Sequence, residues 1–147
     1  MKDAWLEELS YDECLQLLRE HAVGRMGVVL DESPAVLPVN YQLVETVGLT
    51  LIALRTRPGN IIDRADLKVA FEIDDIDPIH RQGWSVLVRG TLHDVDPEAA
   101  DFKNRFDSHP WILTERDAWL VIQPFSITGR RLHAAATEWA FHYRAYL

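Results

Sequence analysis

The sequence predicts a mainly β domain (α+β in the broad sense) whose six or seven strands close, or nearly close, into a small barrel with a few short helices. Three observations predict it. Short segments of alternating apolar and polar residues follow one another along most of the chain. Glycine, proline and aspartate punctuate them at short intervals. Helical periodicity is confined to brief stretches. A barrel suits many short strands because closure removes exposed sheet edges.

The elements follow in order. Ser10-Tyr11-Asp12-Glu13 is a capping box, in which Ser10 and Glu13 satisfy each other's backbone N–H. Cys14, Leu17, Leu18 and His21 then recur at helical spacing, so a helix is predicted from Tyr11 to about Glu20, with Gly24 as the stop. Arg25–Leu30 reads as a strand and Asp31–Pro34 as its turn. Ala35–Leu43 alternates, with Leu37, Val39, Tyr41 and Leu43 on one face and Val36, Pro38, Asn40 and Gln42 on the other. Gly48 marks the next turn, and Leu49–Arg55 returns to complete a hairpin over Val36–Thr56.

Pro58 and Gly59 precede a short helix predicted over Ile61–Ala65. Lys68–Ile73 is a strand, Asp74–Gln82 an acidic loop and Trp84–Val95 a long strand. Pro97–Phe106 reads as a helix with Asp96 as its N-cap. Ala118–Gln123 and Ser126–Leu132 are the final strands, separated by Pro124. The division expected is one domain over 1–132 and a C-terminal tail over 133–147, rich in alanine and aromatics.

The chain's 147 residues suit a single core. A net charge of −8 argues against nonspecific nucleic-acid binding and against adhesion to anionic membranes. No apolar run is long enough to span a bilayer, and Met1–Trp5 lacks the apolar stretch of a signal peptide. Cys14, the single cysteine, has no internal disulfide partner, and the expectation is a reducing, cytoplasmic compartment.

No residue set for ordinary catalysis is present. The six histidines show neither HExxH nor Cys/His spacing, so no metal site is expected. There is no Gly-x-Ser-x-Gly elbow, P-loop or GxGxxG pattern, and no catalytic residue is assigned. What remains is a binding surface. Pro38 removes a ladder donor, which fits an edge strand guarded against aggregation and equally fits backbone left free for a ligand. Asn40 faces the same way and carries both donors and an acceptor. In the turn Thr56–Asn60, Thr56 offers a hydroxyl and Gly59 permits close approach, while Arg55 and Arg57 add charge, which suits a phosphate and equally fits a simple turn with solvated arginines. Trp84, beside Ser85 at the mouth of the long strand, suits either stacking on a planar ligand or core packing. Arg130 and Arg131 lie near the last strand's end.

Taken together, Val36–Tyr41, Arg55–Asn60, Val69–Asp74, Gly83–Gly90 and Ile127–Arg131 resemble, in order and spacing, the pyridoxamine 5′-phosphate oxidase-like family of flavin-binding split barrels. The likeness runs from about Glu13 to Leu132. It implies a split β-barrel that forms a homodimer with FMN at the subunit interface and reduces a small organic substrate. It implies that Pro38, Val39, Asn40 and Tyr41 line the flavin ring with main-chain groups. Arg55, Thr56, Arg57, Gly59 and Asn60 would hold the phosphate. Trp84 and Ser85 would reach the site from the other subunit, with Arg130 nearby. Many relatives carry a lysine where this chain has Asn60, which removes a charge-assisted phosphate contact. The deazaflavin F420, or a cofactor-binding barrel without turnover, are the alternatives this departure opens. True pyridoxamine-phosphate oxidation would need a further basic set that the acidic chain does not display.

Overall fold

The computed structural model describes residues 4–46, 48–56, 67–94 and 118–134. They form β1 (Trp5–Glu8), α1 (Tyr11–Glu20), β2 (Val23–Leu30), β3 (Ser33–Thr46), β4 (Leu49–Thr56), β5 (Leu67–Asp77), β6 (Gln82–Asp94) and β7 (Ala118–His133). Every pairing is antiparallel. The strand order is β1-β7-β4-β3-β2-β5-β6, and β6 pairs back onto β7. Six strands therefore close a ring, and β1 adds to its outside. The first part of β7 carries β4, its last residues carry β1, and β6 runs along nearly all of it.

Alternation fills the ring. Met26, Ile52, Leu54, Phe71, Ile73, Val86, Val88, Leu92 and Ile122 are fully buried, each removal from water contributing about 1.5–3 kcal/mol. Tyr41 meets the Phe71 ring edge-on, with centroids 4.9 Å apart. The capping box of α1 is present: the Glu13 N–H donates to Ser10 Oγ at 3.2 Å, and the Ser10 N–H donates to Glu13 Oε2 at 2.7 Å. The helix buries Cys14, Leu15 and Leu18, with Leu17 packed against the same core. It lies so close to β7 that a Cβ on Gly129 would stand 2.6 Å from Cys14 Sγ. Burial pushes the Cys14 thiol above its ordinary range.

Four features differ from the sequence reading. The expected acidic loop over Asp74–Gln82 is mostly ladder: β5 runs to Asp77, and only Pro78–Arg81 turn. Here cross-strand partners outweigh charge. Arg25 pairs with Asp74, and Asp77 accepts from the N–H groups of Ile79 and His80 at 3.0 Å each. The two expected final strands are one, because a bulge absorbs Pro124: Gly90 pairs with Pro124 and Arg89 with Ser126, leaving Phe125 unpaired and exposed. The turn expected over Asp31–Pro34 is shorter, for Asp31 and Glu32 take φ of +48° and +66° and Ser33 already opens β3. Finally, β1 was not anticipated, since four residues without clear alternation carry no periodic signal. The predicted helices over Ile61–Ala65 and Pro97–Phe106 and the tail from 135 onward lie outside the described residues.

Candidate functional site

The predicted hairpin forms, and its two strands part partway along. Residues Tyr41–Thr46 of β3 pair with Leu54–Leu49 of β4. Beyond Tyr41/Leu54, β4 continues only with β7, through Arg55/Trp119 and Thr56/Ala118. The other half of β3, Ser33–Asn40, pairs with β2 on one side, and among the described residues nothing pairs with its other side. This fork is the split in the barrel.

The direction of the free backbone groups follows from one bond. The Tyr41 N–H donates to the Ala22 carbonyl at 2.9 Å, on the β2 side. Backbone groups alternate along a strand, so those of Val36, Pro38 and Asn40 point to the open side. Both prolines of β3, Pro34 and Pro38, thus place their missing donors where no ladder requires them. What the open edge offers is the N–H groups of Val36 and Asn40, ~13 Å apart along the strand, with the carbonyls of Val36 and Pro38 between and beside them. Val39 and Tyr41 point into the barrel instead. Tyr41 is buried, its hydroxyl donating to the Leu18 carbonyl at 2.8 Å, and burial pushes its phenol far above the ordinary range.

Of the turn residues, Arg55 and Thr56 are described by their backbone alone, at the end of β4 where the fork opens. Arg57, Gly59 and Asn60 lie outside the described residues.

The remaining candidates divide between two faces. Pro38 stands across from Arg25, Arg25 reaches Asp74, Asp74 stands across from Ser85, and Ser85 across from Arg130. These residues make one outward row across five strands, ~19 Å at ordinary strand spacing. Arg25 in this row is committed: it pairs with Asp74 and also with Glu72 at 3.2 Å. Burial, followed by its hydrogen bond with Asp74, pushes the Glu72 carboxyl up to about 7. The hydrogen bond from Glu72, with help from Arg25, holds Asp74 below its usual range.

Trp84 faces the other way from Ser85 and stands across from Arg131, not Arg130. It lines an open cavity of about 630 Å³ with Asp75, Gln82, Arg131 and His133. His21, at the end of α1, meets Trp84 edge-on at 4.8 Å. On the far wall, His133 Nε2 lies 2.6 Å from Glu7 Oε2, and Trp5 stacks on the His133 ring at 4.0 Å. Arg130, which the resemblance picks out, stands in the outward row with Ser85, and its neighbour Arg131 is the arginine beside Trp84. Among the described residues no group of histidine, cysteine, aspartate and glutamate side chains is arranged to hold a metal ion. No described helix is long and apolar enough to cross a membrane.

Comparison with known proteins places this geometry. The FAD binding protein from Mycobacterium smegmatis superposes with a TM-score of 0.72 at 34% identity, over 88% of this chain and 100% of that one. A conserved protein of unknown function from Corynebacterium diphtheriae superposes with a TM-score of 0.74 at 26% identity, over 87% and 98% of the two chains. A protein from Mycobacterium tuberculosis is 36% identical over 132 residues, 86% of each chain. The model of the pyridoxamine 5′-phosphate oxidase family matches residues 10–131, so with its forked, ring-closed sheet this chain belongs to that family.

Proposed function

We propose that this protein binds a flavin along the open edge of β3 and serves as an oxidoreductase toward a small organic substrate. The observation that carries the reading is the unpaired stretch Val36–Asn40, whose open edge at the fork offers the Asn40 N–H beside the carbonyls of Pro38 and Asn40, a donor with flanking acceptors of the kind the pyrimidine edge of a flavin can meet. On this reading the ring lies along β3 and the phosphate arm runs toward the end of β4, where the two strands part.

The flavin, when bound, supplies the hydride chemistry, so no protein acid–base pair is required. The chain's residues bind and orient. The Asn40 backbone N–H favours electron density at the ring edge, and Tyr41 and Leu54, both buried, seal the barrel interior behind it. In a homodimer, a second copy would bring the cavity lined by Trp84, Arg131, His133, Asp75 and Asp77 toward the ring, where the aromatic wall suits a planar substrate and the mixed charges its polar groups.

FMN is the smallest ligand that spans the ring and phosphate ends. The FAD-binding relative at 34% identity favours the dinucleotide as a second reading. Titrating the apoprotein with FMN, FAD and F420, and following flavin fluorescence and the visible spectrum, decides among them. Quenching by a flavin with a stoichiometry of one per chain supports the proposal. Uptake of F420 alone moves it to deazaflavin chemistry, and uptake of none overturns it.

A further inference from the structure

The outward face of β3 carries a second feature at the fork. Gln42 lies one residue inside the paired part of the hairpin, next to the last pair Tyr41/Leu54 at the fork and across from fully buried Ala53, which in turn stands across from Val121. Val44, Ala53 and Val121 form a small apolar cluster here, apart from the barrel core. Gln42 Oε1 is buried at its margin and accepts no hydrogen bond. A buried amide oxygen without a donor is a standing cost that native structures seldom carry without reason.

The geometry points to the reason. Resting on the flavin reading above, we infer that Gln42 Oε1 accepts a hydrogen bond from the polyol chain joining the flavin ring to its phosphate. A ligand with its ring on Val36–Asn40 and its phosphate by the end of β4 must cross the fork between these strands. The inward side of that crossing is closed by Tyr41 and Leu54, both buried. The outward side is where Asn40 and Gln42 lie. A ribityl chain is a row of hydroxyl donors, and Gln42 presents an acceptor lacking one. The ring itself has no need of Gln42, because Val36, Pro38 and Asn40 already face it.

Three ligands separate the parts: FMN, riboflavin without the phosphate, and lumiflavin, which has a methyl group in place of the ribityl chain. Each is titrated by fluorescence quenching into wild-type protein, Gln42→Met and Gln42→Glu. The expected result is that Gln42→Met weakens FMN and riboflavin about tenfold while lumiflavin stays within twofold, and that Gln42→Glu, which keeps an acceptor, holds riboflavin close to wild type. Ligand-free Gln42→Met is also expected to melt no lower than wild type, because it removes an unsatisfied polar atom. Equal losses for all three ligands, no loss for any, or a markedly lower melting point of the ligand-free variant overturns the assignment while leaving flavin binding intact. Wild-type protein that takes up none of the three overturns the flavin reading itself.

Discussion

The two halves of β3 have the same alternation and different surroundings. Tyr41–Thr46 is held by β4, with the Tyr41 N–H bonded to the Ala22 carbonyl just before β2, and its outward residue Val44 is buried. Ser33–Asn40 is held by β2 alone, carries both of the strand's prolines, and leaves Val36 exposed. Hydrophobic pattern sets which residues enter the core, but it does not set which backbone groups are used. A strand can be fully anchored by its side chains and still keep one main-chain edge for a ligand.

This contrast can be broken from its anchored side first. Phe71→Ala should cost about 3–5 kcal/mol in chemical denaturation, since the ring is fully buried against Tyr41 and its loss leaves a cavity under both halves. Proline substitution then separates the halves directly. Val44→Pro removes a donor aimed at β4 and should cost about 3 kcal/mol or more. Val36→Pro removes a donor aimed at the open edge and should cost less than about 1 kcal/mol. Equal destabilisation by the two prolines would mean that the open edge is paired in solution.

At the junction, Tyr41→Phe deletes the bond to the Leu18 carbonyl, and a loss of about 1 kcal/mol is expected in the same assay. The smallest effect concerns the outward row. Folding raises the Glu72 carboxyl from 4.5 to about 7, so the folded state holds a proton that the unfolded chain releases. Stability from this group is full at low pH and declines as pH rises from about 4.5 through 7. Asp74, held low, works in the opposite sense and loses its contribution only in stronger acid. Glu72→Gln should therefore flatten the stability profile between pH 5 and 8, with a gain at pH 8 under about 1 kcal/mol because the cluster is partly exposed. An unchanged profile would place the pH dependence elsewhere.

Much of this was legible in the residues. The capping box located α1 because its donors and acceptors are local. The hairpin was legible because Leu37, Val39, Tyr41 and Leu43 alternate against a return strand, and Pro38 marked the open edge. The acidic residues Asp74–Asp77 hid their strand, since their partners Arg25 and Ser85 are distant in sequence. Pro124 read as a break because a bulge is a property of two strands, not one. The grouping of Arg131 and His133 with Trp84 was not legible for the same reason, because only pairing reveals what the ladder sets opposite each residue.

The position of β7 in the chain also has a consequence in time. Three strands depend on it, including β1, whose Trp5 pairs with His133. Until β7 is synthesised, β4 and β6 each lack a neighbour and the ring stays open. Among the described residues, closure thus joins contacts far apart in sequence, the kind whose formation slows folding and leaves strand edges open to aggregation until it is complete.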